Sequence, residues 1–148
     1  MEEKSVFETF ELNLPPVILG FLKETSTWTY FLSIIGFIGI GLMVMAGIIF
    51  IITLGSMPGG NPYESLGIDI SYFGMIYIVM GVIYFLPIFY LFNFSRRMKH
   101  ALRLNNNEEL SAAFSNLKSH YKFLGVVTIV IISIYVLILV IAMIAGIM

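Results

Sequence analysis

The sequence predicts an all-α membrane protein: three transmembrane helices, a cytoplasmic helical-hairpin extension of helices 2 and 3, and a short N-terminal interfacial helix. Three apolar stretches, Trp28–Leu54, Ile70–Phe94 and Phe123–Met148, contain no Asp, Glu, Lys, Arg or His. A bilayer core about 30 Å thick is crossed by roughly 20 helical residues, and each stretch is longer than that. All eight basic residues lie outside these stretches, so the chain separates into membrane and aqueous parts.

Composition divides the chain into an N-terminal tail, residues 1–27, and a transmembrane domain, residues 28–148. The second region consists of three spans joined by two polar segments. Its predicted parts are the spans 28–54, 70–94 and 123–148, the outer loop 55–69 and the cytoplasmic hairpin 95–122.

The distribution of Lys and Arg predicts the orientation of the spans. Six of the eight basic residues lie in 95–122, and the loop 55–69 has none. Cytoplasmic segments of membrane proteins carry the excess of Lys and Arg. The hairpin and the N-terminus are therefore predicted to be cytoplasmic, and the outer loop and the C-terminus to face outward. The tail fits less well, since it holds five glutamates, but acidic residues count little in this rule.

The N-terminal helix is predicted to begin at Pro15-Pro16, because proline is tolerated in the first helical turn. Val17, Ile18, Phe21 and Leu22 would share one apolar face and lie on the inner leaflet. An irregular tail packed on the bundle explains so short a segment equally well. In either case Thr25-Ser26-Thr27 is predicted to separate this segment from the first span.

The hairpin is predicted from apolar residues at helical spacing on both sides of Asn105–Asn107. Asn106 and Glu109 have the spacing of a capping box, in which each side chain accepts a backbone N–H of the other's turn. The two faces are expected to pack against each other. They comprise Met98, Ala101 and Leu102 before the turn and Leu110, Ala113, Phe114, Leu117 and Tyr121 after it.

Small residues predict where helices approach closely. In lipid, helices associate through packing at Gly, Ala, Ser and Thr rather than through the hydrophobic effect. The interface can lie between helices of this chain, which is the commoner case, or between subunits. The candidate residues are Ser33, Gly36, Gly47, Gly74, Gly81, Ala142 and Gly146.

A basic cluster directly follows the second span and predicts contact with anionic lipid, which such clusters attract. It consists of Arg96, Arg97, Lys99 and Arg103. The simpler explanation is a topology signal without a specific ligand. The net charge of −1 predicts no nucleic-acid partner.

Markers of catalysis are missing from the sequence. It contains no cysteine, no common hydrolase or phosphate-binding motif, and no ionisable residue within a span, where one would mark an ion or proton path. His100 and His120 are predicted to lie about 12 Å apart along the hairpin, too far to share a metal. Pro87 lies inside the second span and is predicted to bend it. We therefore expect no enzyme activity, no cofactor and no metal site.

Two segments carry a family resemblance. Lys23–Leu42, with a Trp at the membrane edge and an Ile-x-Gly-Phe-Ile pattern, is one of them. The other is Ser95–Leu102 with the Asn-rich turn and Leu117, Lys118, Tyr121 and Gly125. They resemble a domain-of-unknown-function family of small bacterial integral membrane proteins, mainly from Bacteroidota. The resemblance implies the bacterial cytoplasmic membrane and supplies no catalytic residue.

Two functions are compatible with these features. The first is a non-enzymatic accessory or scaffold subunit, or a homo-oligomeric membrane module, whose partners are the bilayer and either itself or a larger membrane complex. The alternative is an oligomeric channel or small-solute transporter. Its pore would be lined by hydroxyl groups, those of Thr29, Ser33, Tyr77 and Tyr84.

Overall fold

The computed structural model describes residues 15–55 and 71–147, and at 54, 55, 71 and 147 only the backbone. These residues form three helices: α1, Pro16–Gly55; α2, Ser71–Leu104; and α3, Asn107–Ile147. No strand occurs in the described ranges. The predicted outer loop and most of the N-terminal tail lie outside them.

Each helix contains a stretch long and apolar enough to cross a membrane. The prediction of an all-helical chain with three such helices is therefore confirmed, and it indicates a multi-pass membrane protein. All three helices are longer than their apolar stretches. The additional residues lie mainly at the end of the molecule that holds the α2–α3 turn, here called the hairpin end.

Helix α2 lies in the middle of the fold. It is antiparallel to α1, since Ser26 contacts Ser95 near the hairpin end and Gly47 contacts Gly74 near the other end. It packs on α3 through the half of α3 next to the turn. Within the described residues no Cα atom of α1 lies within 8 Å of one of α3.

The predicted separate interfacial helix is wrong, because α1 runs without a break from Pro16 to Gly55. Pro16 occupies the first helical position, as expected. The hydroxyls of Ser26 and Thr27 both donate to the Lys23 carbonyl, at 2.8 and 2.9 Å. Hydroxyls bonded to a carbonyl one turn earlier are accommodated inside a helix. The polar triplet therefore does not end the helix.

The α1–α2 pair follows a seven-residue period on both helices. On α1 the repeat is Ser26, Ser33, Ile40 and Gly47; on α2 it is Gly74, Gly81, Ile88 and Ser95. Most of these positions are small, and the three serines are fully buried. A hydrophobic or small-residue repeat of seven keeps one seam in register only if the helices wind around each other with a left hand.

Asn105 and Asn106 make the turn between α2 and α3. Asn105 has φ 48°, a left-handed conformation that Asn tolerates better than other residues with a Cβ. The Asn106 N–H donates to the Ala101 carbonyl at 3.1 Å, which closes α2 as in a Schellman motif. The Asn106 side-chain oxygen accepts from the N–H groups of Glu108 and Glu109 and so caps α3.

Only half of the predicted capping box is present. Asn106 caps α3 as expected, but Glu109 does not return to the Asn106 N–H, which is already bonded to Ala101. The Glu109 carboxylate instead accepts from Arg97 at 3.3 Å. Asn106 therefore caps α3, and Glu109 connects α3 to Arg97 of α2.

The core of the hairpin consists of the buried Phe94, Met98, Ala101, Leu110 and Ala113, with Leu22, Leu102 and Leu117 packed against it. Two residues predicted on this face lie at its edge. Phe114 is 45% exposed and Tyr121 is 65% exposed. The Phe114 ring still lies beside that of Phe94, with centroids 6.3 Å apart. The apolar seam is therefore narrower than the spacing predicts.

Helix α3 leaves the other helices after its polar half. His120 donates from Nδ1 to the Pro87 carbonyl at 2.8 Å, and Phe123 and Val127 are half-buried. From Thr128 to Gly146 every described side chain or glycine is exposed. Most of the α3 apolar stretch is therefore exposed in the described part of the chain.

Candidate functional site

Gly47 and Gly74 face each other, backbone to backbone, across the contact between α1 and α2. A Cβ atom on Gly47 would lie 2.8 Å from the Gly74 carbonyl oxygen, and one on Gly74 would lie 2.7 Å from the Gly47 carbonyl oxygen. Because backbone meets backbone here, only glycine allows this separation.

Gly36 and Gly81 face side chains across the same contact. A Cβ on Gly36 would lie 2.6 Å from Ile88 Cδ1, and one on Gly81 would lie 2.8 Å from Val44 Cγ2. Ser33 is buried in this seam and donates its hydroxyl to the Tyr30 carbonyl at 2.7 Å. Five of the seven small candidate residues thus lie between α1 and α2.

The other two small candidates lie elsewhere. Ala142 and Gly146 are exposed on α3, and a Cβ on Gly146 would meet nothing within 4 Å. The seven residues are therefore not one surface. One group fills a contact inside the chain, and the other lies on an exposed stretch of α3.

A buried hydrogen bond connects α1 and α2 at the hairpin end. The Ser95 hydroxyl donates to the Ser26 carbonyl at 2.7 Å, and both residues are fully buried. Sequence reasoning missed this pair, because Ser95 follows the apolar stretch and resembles the beginning of a polar segment. Its seven-residue steps from Gly74, Gly81 and Ile88 were the available signal.

The four basic candidate residues have different surroundings. Arg97 pairs with Glu109 at 3.3 Å, and Arg96 lies over the Phe92 ring at 5.6 Å. The Lys99 ammonium lies over the Tyr30 ring, 4.3 Å from its centroid. Arg103 lies in the last turn of α2. The basic residues are therefore not one uniform patch.

The four basic side chains line two different cavities. Arg96 and Arg97 line the first, Arg103 lines the second, and Lys99 lines both. The first has a volume of about 590 Å³ and includes the acidic Glu109; its lining is Tyr30, Asn93, Arg96, Arg97, Lys99, His100 and Glu109. The second, of about 400 Å³, has no acidic residue among its described lining residues, which are Lys23, Ser26, Thr27, Lys99, Leu102 and Arg103. Sequence reasoning did not connect Lys23, on α1, with the basic residues of α2.

The two histidines have separate environments. His120 is bonded to the Pro87 carbonyl, whereas His100 Nδ1 lies 4.0 Å from Glu109 on the hairpin surface. In the described ranges no three His, Cys, Asp or Glu side chains are close enough to hold a metal ion.

The hydroxyl groups predicted for a pore do not share one face. Thr29 and Ser33 are buried on α1. Tyr77 and Tyr84 are 45% and 47% exposed on α2. Thr29 and Ser33 are therefore covered within the single chain, whereas Tyr77 and Tyr84 are partly open to its surface.

The family models, the curated proteins and the solved structures contain no match to this chain.

Proposed function

We propose that the chain is a non-enzymatic membrane module that associates through α3, either as an accessory or scaffold subunit of a larger complex or as a homo-oligomer. The partner would contact the apolar stretch of α3, and the remaining surface would contact lipid. The positive-inside distribution of Lys and Arg supports an orientation with the hairpin and the N-terminus in the cytoplasm. The proposed location is a bacterial cytoplasmic membrane.

The observation that carries this proposal is that the apolar stretches of α1 and α2 pack against each other, whereas that of α3 is exposed. Four glycines, Gly36, Gly47, Gly74 and Gly81, lie against the facing helix of the same chain. By contrast, α3 is exposed from Thr128 to Gly146. Small residues promote helix contacts in lipid, and those of α3, Ala142 and Gly146, are unused by the described chain. Association through α3 would bury them.

The test uses the full chain in mild detergent, with its mass measured by light scattering and its companions by mass spectrometry. We expect a homo-oligomer or a stable companion subunit. Ala142→Leu together with Gly146→Leu should reduce the assembly but leave thermal unfolding of the single chain unchanged. Gly41→Leu is the matched control, since a Cβ on Gly41 also meets nothing within 4 Å. A monomeric wild-type chain without companions contradicts the proposal.

The orientation can be tested with single cysteines, because the chain has none of its own. Cysteine at Ser65 should react with a membrane-impermeant thiol reagent added to intact cells, and cysteine at Asn107 should react only after the membrane is opened. The reverse pattern contradicts the proposed orientation.

A further inference from the structure

The cavity lined by Lys23, Lys99 and Arg103 collects three cationic side chains from two helices at the hairpin end. We propose that this cavity binds the phosphate group of an anionic membrane lipid. This proposal is independent of whether α3 associates with another chain. The proposed site differs from the basic cluster predicted from the sequence, because it includes Lys23 and excludes Arg96 and Arg97. The proposal also names the class of ligand.

The charges around the cavity support an anion as its occupant. Among the described residues no acidic side chain lines it, and none places a carboxylate within ion-pair distance of Lys23 or Arg103. Arg97, by contrast, already has Glu109 as its partner. Ammonium and guanidinium groups are the side chains that proteins use to bind phosphate.

The two hydroxyl groups in the cavity wall are not available to bind an anion. Ser26 and Thr27 donate their hydroxyl hydrogens to the Lys23 carbonyl. They therefore have no hydrogen left to donate to an anion. A phosphate in the cavity would be held by the Lys23 and Lys99 ammonium groups and the Arg103 guanidinium.

The depth of the cavity favours lipid phosphate over phosphate in solution. Trp28 is 60% exposed, and together with Tyr30 it marks the headgroup level, where amphipathic aromatics concentrate. Helical side chains tilt toward the N-terminus of their helix, so Lys99 extends back along α2 to the Tyr30 ring. Lys23 precedes Trp28 by five residues, or about 7.5 Å, which is about the thickness of a headgroup layer.

The test compares lipids retained by the full chain after its release from vesicles of phosphatidylcholine with a minor fraction of phosphatidylglycerol. Native mass spectrometry counts both lipids. We expect the wild-type chain to retain phosphatidylglycerol preferentially. Lys99→Gln and Arg103→Gln should each lower that preference about fivefold, the effect of one basic residue near the membrane surface. Lys99→Arg should preserve it.

Lys118→Gln is the matched control, because it removes the same charge from an exposed position on α3 outside the cavity. Circular dichroism of every variant shows whether the helices are intact. Equal phosphatidylglycerol retention by wild type, Lys99→Gln, Arg103→Gln and Lys118→Gln overturns the site. Titration of inorganic phosphate into the detergent-solubilised chain separates the two sources of phosphate. Binding of inorganic phosphate without any lipid preference overturns the assignment to lipid.

Discussion

At the scale of single residues, the glycines of α1 have different functions that depend on what lies opposite each one. Gly47 faces a backbone carbonyl, Gly36 faces the Ile88 side chain, and Gly39 and Gly41 face nothing within 4 Å. A carbonyl oxygen inside a helix cannot move away without moving the helix. The Cδ1 atom of Ile88, which is the atom nearest to Gly36, can rotate away although the rest of that side chain is stiff in a helix. The stability lost when a glycine is replaced by a larger residue should therefore depend on which atoms lie opposite that glycine.

Gly47→Ala is expected to lower the free energy of unfolding in detergent by about 1–3 kcal/mol, the usual cost of overpacking. Gly36→Ala should be milder, because Ile88 can adjust. Gly41→Ala should leave stability unchanged or raise it slightly, since Ala has the higher helix propensity. Thermal unfolding followed by circular dichroism checks this order. Equal loss at Gly47 and Gly41 would show that the backbone contact does not limit stability.

Sequence reasoning identified these small residues but not their partners. Gly36, Gly47, Gly74 and Gly81 indicate close approach, yet the pattern is the same for contacts within a chain and between chains. The choice depends on which helix lies opposite, and that is a property of the assembled fold. Lys23 illustrates the same limit: it is distant in sequence from Lys99, and only the antiparallel pairing of α1 with α2 brings the two into one cavity.

At the scale of whole elements, the hairpin between α2 and α3 could be predicted because the residues that form its turn are neighbours in the sequence. Apolar spacing and the Asn-rich segment placed the turn, and Asn105 and Asn106 make it. The continuity of α1 was not predictable in the same way. Thr25-Ser26-Thr27 has a weak helix propensity, and its place inside α1 depends on hydroxyl bonds to Lys23 and on burial of Ser26 against α2.

A charged residue introduced into the hairpin core should destabilise the protein more at a buried position than at an exposed one. Ala113 is fully buried in it, so Ala113→Asp would bury an unpaired carboxylate and should lower the free energy of unfolding by at least about 3 kcal/mol. Phe114→Asp should be milder, about 1 kcal/mol, since Phe114 is partly exposed and mainly loses its ring contact with Phe94.

Limited proteolysis and thermal unfolding of the two variants measure this difference. Ser111→Asp, at an exposed position on the same helix, is the control and should match the wild type. A greater loss with Phe114→Asp than with Ala113→Asp would mean that the hairpin packs through a different face.

At the scale of the whole molecule, the fold combines a tight helix pair with a helix that diverges from it. His120 lies beside Pro87, seven residues before the end of the apolar stretch of α2 at Phe94. The apolar part of α3 begins three residues after His120, at Phe123. It therefore begins about 15 Å deeper along the α1–α2 pair than the level at which the apolar part of α2 ends. A tilt of α3 relative to its neighbours would allow a helix with this offset to reach the same two membrane surfaces.

The angle of α3 should depend on His120. The hairpin core holds the first half of α3, and the bond to Pro87 is the polar contact nearest the point where α3 diverges. Loss of a hydrogen bond of this kind in a membrane protein costs about 0.6 kcal/mol on average, which is too little to unfold the chain. We therefore expect His120→Ala to preserve the three helices but to let α3 sample a wider range of angles.

Spin labels at two exposed positions, Leu42→Cys on α1 and Ile138→Cys on α3, measure this range as a distribution of distances. The chain has no cysteine to interfere. The distribution should be broader with His120→Ala than with wild type. Ser133→Ala is the control, because the Ser133 hydroxyl donates to the Ile129 carbonyl of the same helix, and this substitution should leave the distribution unchanged. Identical distributions for His120→Ala and wild type would mean that the hairpin core alone sets the direction of α3.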